Sequence, residues 1–104
     1  MQYKRFEDLP VWQEATELAR LMYEFTAFDA FRPHPGLRDQ LERAALSISN
    51  NIAEGFERGT TNELLAFLYI ARGSAGEVRS MMRVLKTWDI FRDYRSQISN
   101  FMFH

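Results

Sequence analysis

The most constraining feature of the sequence is an uninterrupted apolar spacing of three and four residues between positions 64 and 85. The residues that keep this spacing are Leu64, Phe67, Ala71, Ser74, Val78, Met81 and Leu85. Because a helix places residues three and four apart on one face, the pattern predicts one helix of about 26 residues, roughly 39 Å long. A break into two shorter helices at Gly73 and Gly76 is the alternative, since each glycine costs up to about 1 kcal/mol relative to alanine.

Apolar residues recur at helical spacing in three other segments as well. The four helices are therefore expected over residues 9–27, 35–58, 61–87 and 89–102. No stretch alternates apolar and polar residues for long enough to predict a strand. The sequence predicts an all-α fold, an antiparallel up-down four-helix bundle, with residues 1–104 forming a single domain.

Proline, glycine and threonine residues mark the helix ends. Pro10 and Pro35 suit the first turns of the first and second helices, where the missing N–H costs nothing. Gly59 is placed to end the second helix, and Thr60 with Glu63 predicts a capping box that begins the third. The short turn places the second and third helices side by side.

Composition argues against most cofactor and catalytic chemistry. The chain has no cysteine, and its two histidines are His34, in a proline-rich turn, and His104. A di-iron bundle needs a Glu-x-x-His motif on each of two helices, and a hydrolase needs a base beside its nucleophile. No cofactor, no metal and no enzymatic activity are expected. Neither an eighteen-residue apolar run nor a signal-peptide pattern occurs, so we expect a cytoplasmic protein without membrane contact.

Small residues occur in both the second and the third predicted helix, at similar distances from the turn that joins the two helices. An antiparallel pairing would place Ala44 and Ala45 opposite Ser74 and Ala75, and Ile52 opposite Phe67. Small side chains let two helix backbones approach closely. The residues expected at this close crossing are Ala44, Ala45, Ser47, Gly55, Gly73, Ser74 and Gly76.

Polar residues lie among these small ones, and the same pairing predicts that they are partly buried. The candidates are Arg43, Asn50, Asn51, Glu54 and Glu77. A buried amide or carboxylate must find hydrogen-bond partners or cost about 1–3 kcal/mol. We expect packing and ion pairing here. A Glu54–Glu77 acid–base pair, which would make the protein an enzyme, is a third and less favoured hypothesis.

Three sequence blocks resemble a known family. They are "FEDLPVWQEA" at 6–15, "GLRDQLERAALSISNNIAEGFERGT" at 36–60 and "AFLYIARGSAGEV" at 66–78. In order and spacing they are similar to the signature blocks of four helix bundle proteins, also called 23S ribosomal RNA intervening-sequence proteins. The resemblance implies an antiparallel four-helix bundle in a ring-like homo-oligomer, favouring a pentamer. It also implies kinship with the accessory protein of diversity-generating retroelements, a basic pentamer that binds nucleic acid and a reverse transcriptase.

Two departures from the family pattern bear on function. The family usually has a basic pair where this chain has Glu42 before Arg43, which removes a positive charge. The fourth helix is also shorter than is usual, which puts a role for that end of the bundle in doubt. For the intervening-sequence branch itself, the resemblance implies no established activity.

Charge is unevenly distributed although the net charge is only −1. Residues 1–57 hold ten of the fourteen acidic residues, whereas residues 58–104 hold seven of the thirteen basic ones. A basic stripe follows the third helix, formed by Arg72, Arg79, Arg83 and Lys86. A ring would multiply this stripe, so RNA or DNA is a candidate partner. The alternative is a structural scaffold in which the stripe forms ion pairs between subunits.

Several aromatic residues fall outside the apolar spacing of the helices. They are Phe28, Phe31, Tyr69, Phe101 and Phe103. Such rings stack on nucleic-acid bases in single-strand-binding proteins, but they more often anchor contacts between protein subunits. We favour subunit contacts.

Overall fold

The computed structural model describes residues 2–102, and within that range every regular element is a helix. The four α-helices are α1 (Pro10–Thr26), α2 (Pro35–Glu57), α3 (Thr61–Lys86) and α4 (Arg95–Met102). Three short 3-10 helices lie at Phe6–Asp8, Asp29–Phe31 and Asp89–Tyr94. Met1, Phe103 and His104 lie outside the described residues, as do the side chains of Phe101 and Met102.

The ends of the first three helices lie within one residue of the predicted bounds. Pro10 and Pro35 occupy the first turns of α1 and α2. Gly59 adopts a φ of +86°, a left-handed conformation that glycine reaches without steric cost, and so ends α2. The Thr60 hydroxyl accepts the Glu63 N–H at 3.2 Å and donates to the Glu63 carboxylate at 3.1 Å, which fixes the start of α3. α3 then runs unbroken through Gly73, so the predicted alternative of two shorter helices is not found.

The fourth predicted helix differs from the structure in its first half. Residues 89–94 form a 3-10 helix, and the α-helix begins only at Arg95. A 3-10 helix aligns residues three apart, and here it turns both Phe91 and Tyr94 toward the ring cluster at the end of α1. The Phe91 ring lies 4.8 Å from that of Phe31, and the Tyr94 ring lies 5.0 Å from that of Phe28. These ring contacts therefore favour the 3-10 helix over the α-helix that the apolar spacing predicts for residues 89–94.

The core is assembled around α2, which packs against both α1 and α3, while α4 packs on α3. Its largest fully buried side chains come from all four helices and their connections: Met22, Phe25, Phe31, Leu41, Ile52, Met82, Leu85, Phe91 and Ile98. Within residues 2–102, no helix combines the length and apolar character needed to cross a membrane.

Contacts between α2 and α3 define how these two helices meet. Gly55 lies against Leu64, as the predicted register requires. The Ser47 and Ser74 hydroxyls share a hydrogen bond of 2.9 Å. The predicted register places Ser47 opposite residue 72, so this contact is shifted from it by two residues. The end of α2 therefore contacts the start of α3, and the middle of each contacts the middle of the other.

Candidate nucleic-acid interface

The basic stripe occupies one face of α3. At 100° per residue, Arg72, Arg79, Arg83 and Lys86 fall within roughly 60° of the helix circumference and span about 21 Å of its length. The three arginines are exposed and Lys86 is half-buried. Regular helix geometry, rather than any turn or loop, thus aligns the four cations along a straight line.

Arginines outside α3 all have a nearby carboxylate. Each of these eight lies within 4.0 Å of an acidic partner: Arg5–Asp8, Arg20–Glu17, Arg32–Asp29, Arg38–Glu42, Arg43–Asp39, Arg58–Glu54, Arg92–Asp93 and Arg95–Asp89. The hydrogen bond to Glu17, followed by the charges of Glu17 and Glu24, also raises the pKa of Arg20. Exposed pairs of this kind contribute only about 0–1 kcal/mol each, but they neutralise local charge.

The stripe differs from these arginines because none of its four cations forms an ion pair with a residue that the structure describes. Glu77, which lies between Arg72 and Arg79 in the sequence, forms no ion pair with a described residue and is itself exposed. Lys86 contributes only its carbonyl, which accepts the Arg95 Nε–H at 3.0 Å. The three arginines therefore face solvent, and no carboxylate of the described residues lies within 4.0 Å of any of the four cations.

One edge of the stripe borders a groove between α1 and α3. The groove has a volume of about 580 Å³ and is lined by Val11, Glu14, Ala15, Glu17, Leu18, Ile48, Ala75, Val78, Arg79 and Met82. Its floor is apolar. Arg79 lies on the α3 edge, whereas Glu14 and Glu17 lie on the α1 edge, so the two edges carry opposite charge.

The predicted close crossing is present only in part. Ala44 and Ala45 are buried, and Ser47, Ser74 and Gly55 contact the facing helix. Gly73 and Gly76, however, are exposed, and a Cβ at either would meet nothing within 4 Å. The expectation of close packing there is wrong, because successive residues of a helix point about 100° apart and only Ser74 and Ala75 of this stretch turn toward the core.

The predicted burial of polar residues is likewise wrong for four of the five candidates. Arg43, Asn50, Glu54 and Glu77 are all exposed. Arg43, Asn50 and Glu54 are spaced seven and four apart, so they share the side of α2 that lies opposite its buried stripe. Asn51 alone is half-buried, and its Nδ2 donates to the Ser47 carbonyl at 2.7 Å and the Ser47 hydroxyl at 2.9 Å.

Glu54 and Glu77 do not approach each other. Glu54 lines a shallow depression with Phe67, and Glu77 lies ten residues further along α3, about 15 Å away along its axis. Arg58 pairs with Glu54 at 2.9 Å. Among the described residues, no group of three or more His, Asp or Glu side chains could hold a metal ion.

The candidate stacking residues have separate locations. Phe31 is buried against Phe25 and Phe91, so it serves the core. Phe28 is exposed in part and stacks on Tyr94. Tyr69 lies one turn before Arg72 and is 69% exposed, more than any other large hydrophobic residue described. The side chain of Phe101 and all of Phe103 lie outside the described residues.

Glu42 has a structural role that the sequence did not indicate. Its side chain is only 13% exposed, and its carboxylate accepts hydrogen bonds from the Thr26 hydroxyl at 2.6 Å and the Arg38 Nε–H at 3.2 Å. The first of these bonds joins α1 to α2. The departure from the family's basic pair therefore places a nearly buried tether at this position, and no sequence signal identified Thr26 as its partner.

The helices and their connections define an all-α four-helix bundle, and this class agrees with the comparison of the chain with protein families. The family model for the 23S rRNA-intervening sequence protein matches residues 7–100. The chain belongs to that family. No match was found among curated proteins or among solved structures.

Proposed function

We propose that this chain is a non-enzymatic, homo-oligomeric bundle protein that binds nucleic acid through the basic stripe of α3. The observation that carries the proposal is the contrast in ion pairing. All eight arginines outside α3 have a carboxylate within 4.0 Å, whereas Arg72, Arg79 and Arg83 have none among the described residues. Unpaired guanidinium groups in a row are suited to successive phosphates, because each can donate two parallel hydrogen bonds.

The assembly that we propose is a ring of antiparallel up-down bundles, with a pentamer favoured by the family resemblance. Contacts of Gly55 with Leu64 and of Ser47 with Ser74 support the antiparallel pairing. A single copy has a net charge of −1 and only one stripe, so it would bind a polyanion weakly. A ring brings several stripes to one nucleic acid, and linked sites can strengthen binding by about 10²- to 10⁴-fold. We place the assembly in the cytoplasm.

The test is a pair of charge reversals in α3, Arg79→Glu with Arg83→Glu. Binding of a labelled RNA hairpin and of a DNA duplex is titrated by fluorescence anisotropy at low salt, and the oligomer is measured by native mass spectrometry. The matched control is Arg43→Glu with Arg92→Glu, which changes the net charge equally but affects exposed arginines that already have acidic neighbours. Loss of binding in the α3 variant alone, with the oligomer intact, would support the proposal.

A structural scaffold is the second candidate, favoured by the charges on the groove between α1 and α3. Arg79 on one edge and Glu14 on the other could each meet the opposite charge of a neighbouring copy. In that case, the α3 double variant would dissociate the oligomer. Equal losses of nucleic-acid binding in both variants would mean that net charge alone governs affinity, and unchanged binding would exclude this stripe as the binding surface.

A further inference from the structure

We infer that the basic stripe binds single-stranded nucleic acid and that one base of the strand stacks on the ring of Tyr69. The inference rests on the proposed function and deepens it, because it names the form of nucleic acid and the residue that selects it. Tyr69 lies on α3 three residues before Arg72. At 100° per residue the two side chains point about 60° apart, so Tyr69 lies at the edge of the stripe, at the end nearest the turn from α2.

Tyr69 is the most exposed large hydrophobic residue that the structure describes. Its exposure is 69%, whereas no other exceeds 53%. Phe28 and Trp88, which are also exposed, each lie beside a neighbouring ring. Tyr69 contacts no other ring among the described residues. Its ring therefore adds little to the packing of one copy and is open to a flat ligand.

The side of α3 that carries Tyr69 and the stripe has no acidic residue. The two acids of α3, Glu63 and Glu77, point about 180° and 140° away from Arg72. Leu65, which is 48% exposed, points about 20° away from Arg72 and precedes Tyr69 by one turn. The stripe thus begins with two exposed apolar side chains and continues with four cations. A ligand that matches this order has a flat apolar group joined to a chain of negative charges.

A nucleotide joins those two parts in one unit. Side chains three residues apart on a helix have Cβ atoms about 5–6 Å apart, so Arg72 can meet the phosphate of a nucleotide whose base lies on Tyr69. Proteins that bind single strands combine a basic path for the backbone with aromatic rings for the bases. In a duplex each base face is covered by the next base pair, so a base must leave the stack before it can reach such a ring. A duplex would therefore meet only the cations.

Tyr23 and Arg20 on α1 offer a comparison within the same chain. They are also three residues apart, and Tyr23 is 44% exposed. Arg20, however, forms ion pairs with Glu17 and Glu24. These two carboxylates neutralise its charge and would repel a phosphate. The tyrosine and arginine of α3 therefore differ from those of α1 in having an unpaired cation, and Tyr23 is the matched control for Tyr69.

The test removes the ring and the bases separately. Fluorescence anisotropy at low salt measures the affinity of the chain for an oligothymidylate of about twelve nucleotides and for an abasic strand of the same length and charge. We expect the unaltered chain to bind the strand with bases at least about fivefold more tightly, since one stacked base contributes that factor or more. Tyr69→Ala should bind both strands equally, whereas Tyr69→Phe and the control Tyr23→Ala should keep the preference.

Two further ligands identify the form of nucleic acid. A duplex of the same length should bind equally to Tyr69→Ala and to the unaltered chain, because it meets only the cations. A loss of duplex affinity in Tyr69→Ala as large as the loss of single-strand affinity would overturn the choice of a single strand. Oligouridylate repeats the measurement with RNA: a preference that Tyr69→Ala removes for both chemistries supports a site for any single strand, and one removed for a single chemistry assigns the site to RNA or to DNA.

Failure of this inference can be told apart from failure of the proposed function. If Tyr69→Ala kept the preference for bases, or if the unaltered chain had none, the inference would be wrong. The proposed function would still stand as long as Arg79→Glu with Arg83→Glu abolished binding. Dissociation of the oligomer by Tyr69→Ala in native mass spectrometry would also overturn the inference, because the ring would then serve a subunit contact. An unaltered chain that bound none of these ligands would overturn both proposals together.

Discussion

Gly55 of α2 lies so close to Phe67 of α3 that a Cβ at position 55 would come within 2.6 Å of the Phe67 Cβ. The same atom would lie 3.3 Å from the backbone of Leu64. Real Cβ atoms do not tolerate the first distance, so the two helices meet here only because residue 55 has no side chain. Gly55 thereby sets the spacing of α2 and α3 just before the turn that joins them.

Substitution of Gly55 should therefore destabilise the bundle. We expect Gly55→Ala to lower the free energy of unfolding by about 1–3 kcal/mol, because displacing Phe67 outweighs the gain of about 1 kcal/mol in helix propensity. Gly55→Leu should lower it further. Urea denaturation followed by circular dichroism measures both. Gly36→Ala is the control and should be neutral or slightly stabilising, since its Cβ would meet no neighbour; a Gly55→Leu variant as stable as this control would contradict the role of Gly55.

Helix positions could be predicted from sequence because their signals are local. Pro10, Pro35, Gly59 and Thr60 each act on the turn in which they stand, and the structure begins or ends a helix beside each. The 3-10 segment before α4 was not predicted because it depends on rings far apart in sequence. Tyr94 stacks on Phe28 across the bundle, and local spacing does not report such a contact.

It was harder to predict which residues of the small-residue stretch in α3 point toward α2. Composition suggested that Gly73, Ser74 and Gly76 act together, but only Ser74 turns toward α2. An angular projection of α3 at 100° per residue would have separated these residues. Alignment of Arg72 and Arg79 was predictable from their spacing of seven, whereas their lack of a carboxylate partner depends on the positions of other helices.

A hydrogen bond between Ser47 and Ser74 should couple α2 to α3 measurably. The two hydroxyl oxygens are 2.9 Å apart, and Asn51 donates to the Ser47 hydroxyl as well. We expect Ser47→Ala and Ser74→Ala each to lower the free energy of unfolding by about 1 kcal/mol. The double variant should lose less than the sum of the two, with a coupling of at least about 0.5 kcal/mol in a double-mutant cycle. Strictly additive losses would show that the bond contributes nothing.

Glu42 should matter more to stability than an ordinary surface acid does. Removing its carboxylate in Glu42→Ala takes away the 2.6 Å acceptor of the buried Thr26 hydroxyl and leaves it only the Tyr23 carbonyl at 3.3 Å, so we expect a loss of about 1–3 kcal/mol in thermal or urea unfolding. Thr26→Val should also destabilise, because it leaves a nearly buried carboxylate without this donor. Glu57→Ala, an exposed change on the same helix, is the control and should stay within about 0.5 kcal/mol.

Capping at Thr60 should contribute to the stability of α3. Thr60→Ala removes the acceptor of the Glu63 N–H, and we expect a loss of about 0.5–2 kcal/mol in the free energy of unfolding. Thr60→Ser keeps the hydroxyl and should stay close to the unaltered chain. If Thr60→Ser lost as much as Thr60→Ala, the threonine methyl group rather than the cap would be responsible.

Salt dependence offers the sharpest measure of direct phosphate contact by the basic stripe. Each phosphate neutralised on duplex DNA contributes about −0.9 to the slope of log affinity against log salt concentration. Arg83→Ala should therefore make the slope less steep by about 0.9 for each copy that contacts the duplex, whereas Arg92→Ala, outside α3 and beside Asp93, should leave it unchanged. A weaker affinity with the original slope would mean that Arg83 acts through structure rather than by contacting phosphate, and an effect of Arg92→Ala equal to that of Arg83→Ala would place the contacts beyond the stripe.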